Sequence, residues 1–165
     1  MDYDREAALL YARKWAYRRN PAYLNFDGIG GDCTNFASQC IYAGCGIMNY
    51  TPVTGWFYIT ADNRTASWTG VEFLYNFLVR NEGAGPYAEE TDISALEIGD
   101  IIQLGRETGD FYHTCVVCGF RAGVPLVAAH TYDTFGKPLN AYRFEKVRFL
   151  HIAGVRAGNQ TSLVQ

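Results

Sequence analysis

The chain has 165 residues, of which 48% are hydrophobic and 19% charged, a composition that excludes a disordered chain and fits one folded domain. Its formal net charge of −3 offers no basic surface, so nucleic acid is not an expected partner. No apolar run approaches the roughly 18 residues that a membrane span needs. The polar start, Met1 to Glu6, does not fit a signal peptide. The sequence allows two locations, the cytoplasm or, if a longer precursor has been trimmed, the cell exterior. A monomer is expected.

Two helices are predicted in the first part of the chain. Residues 3–19 carry apolar side chains at helical spacing, and residues 23–31 form a glycine-rich loop. The second helix begins at Cys33, because apolar residues follow it at offsets of three, four, seven and eight. Gly44, at offset eleven, predicts the end of this helix.

The next segment, residues 46–67, is irregular and rich in aromatic side chains. Long irregular segments are often functional, so Trp56 and Tyr58 are candidates for one wall of a binding groove, with a plain hydrophobic cover as the alternative. Thr69 and Glu72 have the spacing of a capping box and predict the start of a further helix.

The second half of the chain reads as short strands separated by turns, which predicts an antiparallel meander. The whole chain is therefore expected to be an α+β domain over residues 1–156, with a frayed tail at 157–165. The predicted strands cover residues 100–104, 113–118, 125–130, 140–144 and 148–155.

The five cysteines are expected to be mostly reduced thiols, because an odd number argues against a full disulfide framework. Cys115 and Cys118 form a Cys-x-x-Cys pair, which is also a common zinc motif. On a strand these two side chains point to opposite faces, and the chain has no second pair of this kind. Neither a metal nor another cofactor is expected.

Cys33 is the candidate nucleophile, because it falls in the first turn of its helix directly after Gly-Gly-Asp. The partial positive charge and unpaired N–H groups of a helix N-terminus lower the pKa of a thiol and stabilise an oxyanion. Asp32 is interpreted mainly as the N-cap of this helix, with a direct catalytic part as the alternative. Its negative charge opposes formation of the thiolate.

His113 is the candidate base, because it opens a strand. If Cys115 and Val117 lie under the Cys33 helix, His113 comes to the helix N-terminus. His130 ends the next strand and could orient the His113 ring, with Asp133 as its rival. The remaining histidine, in the apolar terminal strand, is interpreted as structural.

Four motifs give the chain a resemblance to the putative amidase domain family, which is related to the NlpC-type and CHAP-type peptidoglycan hydrolases of the papain-like clan. The resemblance implies a papain-like core with Cys33 as nucleophile and His113 as base. The third polar member would be His130, or otherwise Asp133. The motifs are Asp32-Cys-Thr-Asn-Phe-Ala-Ser-Gln39, Gly99-Asp-Ile-Ile-Gln103, His113-Thr-Cys-Val-Val117 and Ala128-Ala-His-Thr-Tyr-Asp133.

In this comparison the Cys33 backbone N–H is one donor of the oxyanion hole. The glutamine that papain-type enzymes place six residues before the nucleophile is absent, since position 27 is Asp. Tyr23 and Asn25 are the candidates for the second donor.

The expected function is hydrolysis of an amide bond in a peptide or cell-wall substrate through an acyl-enzyme. Two alternatives stay open. One is a non-enzymatic module on the same fold that binds glycan or protein through its aromatic segment. The other is an acyltransferase that uses the same triad.

Overall fold

The structure is a computed structural model that describes residues 1–158, and it has the α+β composition expected from the sequence. Its helices are α1 (Arg5–Trp15), α2 (Cys33–Cys45), α3 (Ala66–Thr69) and α4 (Val71–Arg80). Its strands are β1 (Tyr58–Thr60), β2 (Asn63–Arg64), β3 (Gly85–Thr91), β4 (Ile101–Gly105), β5 (Phe111–Arg121), β6 (Val124–Ala129), β7 (Thr134–Pro138) and β8 (Lys146–Arg156). Most of the predicted tail lies outside the described residues.

Six strands form one antiparallel sheet in the order β3-β8-β4-β5-β6-β7, and β1 and β2 form a separate hairpin. Strands β4 to β7 are sequential neighbours, so the predicted meander is confirmed. Strands β3 and β7 were not predicted, because they are the two edges of the sheet and their partly exposed residues lack apolar alternation. The predicted strand 140–144 is wrong. This segment begins in a short 3₁₀ turn and then packs over one face of the sheet.

The sheet is buried on both faces. On one face, α1, α2 and α4 pack on residues such as Ile101 and Val116. On the other face, Cys115 and Val117 join a second apolar cluster that the segment around Tyr142 covers. Cys115 and Val117 therefore point away from α2, contrary to the sequence prediction. A strand buried on both faces carries no polar alternation that could mark the helix side.

The ends of the helices differ from the predicted ones for local reasons. Helix α1 ends at Trp15 instead of residue 19. Helix α2 continues past Gly44 and ends at Gly46, whose φ of 68° is the left-handed conformation that glycine adopts easily. Gly44 instead allows α1 and α2 to approach. A Cβ atom at this position would lie 2.7 Å from the backbone oxygen of Asp4.

The predicted capping box at Thr69 does not form. Gly70 occupies the N-cap position of α4, and Thr69 is the last residue of α3. The Glu72 side chain instead makes an ion pair with Arg148 at 2.9 Å. This contact joins α4 to β8 across about half of the chain, a distance in sequence that local spacing cannot reveal.

The two aromatic candidates of the irregular segment, Trp56 and Tyr58, are part of the core. Trp56 is fully buried and Tyr58 is 8% exposed. Trp56 packs on Trp68 with ring centroids 4.6 Å apart, and its indole N–H donates to the Ser38 hydroxyl. For these two side chains the alternative of a hydrophobic cover is therefore the correct one, whereas other residues of the segment line a cavity beside α4. In the part of the chain that the structure describes, no helix is long and apolar enough to cross a membrane.

Candidate active site

Cys33 is the first residue of α2, and its side chain is 8% exposed. The first N–H groups of any helix have no partner within the helix. Among the described residues, the Cys33 N–H finds no acceptor elsewhere either. The sulfur lies 3.8 Å from the Thr34 hydroxyl and faces the backbone N–H of Thr114 on β5. Hydrogen-bond donors thus surround the thiol.

Burial nevertheless raises the pKa of the Cys33 thiol, and the charge of Asp32 adds to this effect. The N–H groups of Thr114 and Thr34 and the Thr34 hydroxyl lower the pKa, but they only partly offset burial. The sequence predicted a lowered pKa from the position of the thiol at a helix N-terminus. The structure corrects this, because a thiolate in such a buried place loses most of its contact with water.

Asp32 occupies the N-cap position but does not cap the helix with its side chain. Its carboxylate is fully buried and accepts hydrogen bonds from the Phe26 N–H, the Asn35 amide and His130. The distance to His130 Nδ1 is 2.5 Å. Burial raises the pKa of Asp32, but these hydrogen bonds outweigh it and the pKa is lowered. The predicted capping role is wrong because these three donors turn the carboxylate away from the helix N–H groups.

His130 contacts acceptors through both ring nitrogens. Nδ1 faces Asp32, and Nε2 lies 2.8 Å from the backbone oxygen of Trp15 at the end of α1. The ring stacks on Phe36, with centroids 4.0 Å apart, and is 1% exposed. Both ring nitrogens are thus engaged, one by a carboxylate oxygen and the other by a carbonyl oxygen. His130 therefore has no nitrogen left to orient His113, and the expected hydrogen bond between them is not formed.

Arg19 gathers three carboxylates beside this pair. It binds both oxygens of Asp133, at 2.9 and 3.0 Å, and one oxygen of Asp27 at 2.7 Å. Its Nε lies 3.4 Å from Asp32. Asp133, the second candidate to orient His113, is thus engaged by Arg19. Arg19 is the last residue of the predicted first helix, and no local signal in the sequence reveals its partners.

His113 lies on β5 directly before Thr114, whose N–H faces Cys33. Its ring is 8% exposed and packs near Tyr142, with centroids 5.8 Å apart. Within the described residues the ring makes no hydrogen bond. Burial, followed by the nearby charge of Lys137, lowers the pKa of His113 to about 4. Its imidazole is therefore neutral, and able to take a proton, across the physiological range.

Tyr142 lies near both Cys33 and His113. Burial is the main cause of the raised pKa values of Cys115 and Tyr142, and the charge of Cys33 contributes to both. Tyr142 is also the aromatic neighbour of the His113 ring. The region around Tyr142 thus borders both the start of α2, which carries the thiol, and the part of β5 that carries the imidazole. Such a region suits nucleophilic chemistry with proton transfer.

A family model described as "Putative amidase domain" matches residues 2–153. The chain belongs to the putative amidase domain family. It is also similar to "Uncharacterized protein YhbB" of Bacillus subtilis (strain 168), with 36% identity over 136 residues. The match covers 80% of this chain and 42% of that protein, so the chain spans less than half of the relative's length. No solved structure matches the chain.

The other predicted residues of this amidase-family chain lie in varied surroundings. The Tyr23 ring packs between Tyr58 and Trp68. Asn25 is exposed, and its side-chain oxygen accepts from the Asp27 N–H. His151 pairs with buried Asp100 at 2.8 Å, which fits the structural role expected of it.

All five cysteines are free thiols in the structure. Within residues 1–158, no group of His, Cys, Asp or Glu side chains could hold a metal ion. A cavity of about 530 Å³ lies between α4 and the loop around Val53, and neither Cys33 nor His113 lines it.

Replacing His130 with leucine is expected to destabilise the domain by about 3–5 kcal/mol, because it removes one member of a buried pair and leaves the fully buried Asp32 carboxylate without its His130 hydrogen bond. Urea unfolding followed by circular dichroism at pH 7 would measure the change. Asp133→Asn is the control. Its carboxylate is 29% exposed, and the loss of its ion pair with Arg19 should cost about 1 kcal/mol or less. Equal losses in the two variants would contradict a major contribution of the buried Asp32–His130 pair to stability.

Proposed function

We propose that this domain is a cysteine-dependent amide hydrolase, with Cys33 as the nucleophile and His113 as the base. The observation that carries the proposal is the place of the thiol. The thiol stands at the start of α2, beside an unpaired helix N–H, and it faces the backbone N–H of Thr114, the residue that follows His113 on β5. Membership of the putative amidase domain family supports amide hydrolysis as the class of reaction.

The proposed reaction begins from a neutral thiol and a neutral imidazole. Burial raises the pKa of Cys33 and lowers that of His113, so a resting ion pair is disfavoured. His113 takes the thiol proton as the sulfur attacks the carbonyl carbon, and then gives it to the leaving amine. Water releases the acyl group from Cys33 in the second half of the reaction.

We propose that the free N–H of Cys33 stabilises the oxyanion. Asn25 is the preferred second donor, because its side-chain oxygen is held by Asp27 and its amide N–H₂ group remains available. Tyr23 is less suitable, since its ring is packed between two aromatic side chains. In this proposal His130 and Asp133 contribute indirectly. His130 binds Asp32 at the start of α2, and Asp133 binds Arg19, which also contacts Asp32.

The helix that carries the thiol and the antiparallel sheet that carries the base support a relationship to the papain-like NlpC-type and CHAP-type enzymes. On that basis we propose peptides, including those of the bacterial cell wall, as the substrate class. A binding module that uses exposed aromatic side chains has less support, since Trp56 and Tyr58 are buried.

Incubation with purified peptidoglycan and with short peptides, followed by mass spectrometry of the products, tests this proposal. We expect cleavage of an amide bond with gain of one water, and a transient acyl adduct on the peptide that contains Cys33. Addition of a primary amine separates hydrolysis from acyl transfer, because a transferase would place the acyl group on that amine. If none of the substrates is cleaved, or if the acyl adduct lies on another cysteine, the proposal is refuted.

A further inference from the structure

A row of buried polar side chains crosses the helix-facing side of the sheet. Arg148 on β8, Gln103 on β4 and Thr114 on β5 are direct cross-strand neighbours. They are 8%, 0% and 0% exposed, and Thr34 of α2, 1% exposed, lies against the end of the row. Burying a polar group costs free energy unless the group is hydrogen-bonded. Each donor and acceptor in this row is therefore expected to have a partner.

The row is linked without a gap as far as the proposed nucleophile. Arg148 Nε donates to Gln103 Oε1 at 2.8 Å, and Gln103 Nε2 donates to Thr114 Oγ1 at 3.2 Å. The hydroxyls of Thr114 and Thr34 are 2.9 Å apart. The Thr34 hydroxyl in turn lies 3.8 Å from the sulfur of Cys33.

The hydrogen bonds in this row all run in one direction, from Arg148 towards Thr34, because the Arg148 guanidinium can only donate. The Gln103 oxygen must face Arg148, and its N–H₂ group then donates to Thr114 and to the backbone oxygen of Val71. Thr114, which already accepts from Gln103, has only Thr34 as an acceptor for its own hydrogen.

Thr34 is then left with one acceptor for its hydrogen, the sulfur of Cys33. If the two threonine hydroxyls donated in the opposite direction, the Thr114 hydrogen would face Gln103 Nε2, which is a donor. One buried hydrogen would then have no acceptor among the described residues. The arrangement that satisfies every group is therefore the one that ends on the sulfur.

We infer that the Thr34 hydroxyl donates a hydrogen bond to the sulfur of Cys33, and that Arg148, Gln103 and Thr114 are positioning residues that fix its direction. A donated hydrogen bond favours the thiolate over the thiol, so this device assists the step in which His113 removes the proton. The inference deepens the proposed function, since it assigns a role at the same nucleophile.

The device acts against two unfavourable influences on the thiolate. Burial is the larger one, and the charge of Asp32 at the preceding position is the other. Cys115, Tyr142 and His113 are the further titratable groups close to this region. None of these groups belongs to the row, so a change in the row leaves their own contacts in place.

Thr34→Val and Thr34→Ser form a matched pair of tests in the full chain. Valine keeps the shape of threonine but removes the hydroxyl, and serine keeps the hydroxyl. The rate of iodoacetamide labelling at Cys33, resolved by peptide mapping, is measured from pH 6 to 10. We expect Thr34→Val to slow labelling below the midpoint by about tenfold and to move the midpoint up by about one pH unit, as for loss of a hydrogen bond to a charged group. Thr34→Ser should remain within about threefold of the wild type.

Gln103→Glu tests the direction of the row. Glutamate can pair with Arg148 but cannot donate to Thr114, so the Thr114 and Thr34 hydrogens should turn towards Glu and away from the sulfur. We expect Gln103→Glu to move the midpoint of Cys33 labelling by the same amount as Thr34→Val. If Thr34→Val does not fold, Gln103→Glu decides the test. An unchanged profile in both variants, or an equal shift in Thr34→Ser, would overturn the inference. Labelling does not depend on hydrolysis, so failure of the proposed function would be seen separately in the product assay.

Discussion

Replacement of Cys33 with alanine is expected to end amide hydrolysis, with a fall in rate of about 10⁴-fold or more, because the proposed acyl-enzyme has no other sulfur at this position. The change in stability should be small, about 1 kcal/mol, since only one buried atom is lost. The measurement is the rate of product formation on the best substrate from the mass-spectrometric survey, together with urea unfolding of both proteins.

Cys40→Ala is the matched control, because Cys40 lies on the same helix and is fully buried in the helix-side core. This variant should lose about 1–2 kcal/mol of stability through the small cavity and should keep its hydrolytic rate. Retained hydrolysis in Cys33→Ala, or its loss in Cys40→Ala, would show that α2 has a structural role and does not supply the nucleophile.

Replacement of His113 with glutamine is expected to lower the hydrolytic rate at pH 7 by about 10²–10⁴-fold, the range associated with loss of a general base. The raised pKa of Cys33 makes this base necessary, since little thiolate is present in its absence. His151→Gln is the control, because His151 pairs with Asp100 and belongs to another part of the sheet. Equal rates in the wild type and His113→Gln would remove His113 from the mechanism.

His113 should also make the stability of the wild type depend on pH. Its folded pKa of about 4 lies below the usual value near 6.5, so the unfolded chain binds a proton that the folded protein does not. The contribution of His113 to the free energy of unfolding is fully present above pH 6.5 and is lost as the pH falls towards 4. Between pH 7.5 and 4.5 we expect a loss of about 2–3 kcal/mol that His113→Gln lacks. Urea unfolding at the two pH values measures this difference, and an identical loss in the variant would argue against a buried neutral imidazole.

Elements with strong local periodicity could be predicted from the sequence. Helix α2 begins at Cys33 as predicted, because its apolar residues repeat at helical spacing and form one buried face. The central strands β4, β5 and β6 were also found, since each is a short apolar run between turns. These features depend on neighbouring residues only, which is why a single sequence contains them.

Contacts between distant segments could not be predicted in the same way. Asp32 has the spacing of an N-cap, yet its carboxylate binds a histidine 98 positions away. Arg19 reaches Asp133 over 114 positions. The preference of Asp for an N-cap position is worth about 1 kcal/mol, which a buried pair with several hydrogen bonds easily outweighs. The local sequence does not identify the partner of such a pair.

The polar row shows a third kind of limit. Gln103 interrupts an apolar strand and is fully buried, but the sequence marked it only as the last residue of a family motif. The identity of its neighbours depends on strand order, because Arg148 meets Gln103 only when β8 pairs with β4. The aromatic segment is similar, since a tryptophan such as Trp56 fits a groove and a core equally well until its packing partners are known.

The pairing of Asp32 with His130 also has a consequence for synthesis of the protein. The two residues are separated by 98 positions, and a ribosome adds about 5–20 residues each second. Asp32 thus emerges about 5–20 s before the histidine that neutralises it and holds the start of α2. A growing chain that has not reached residue 130 has the thiol but lacks this partner of Asp32, so the proposed site is completed only later in synthesis.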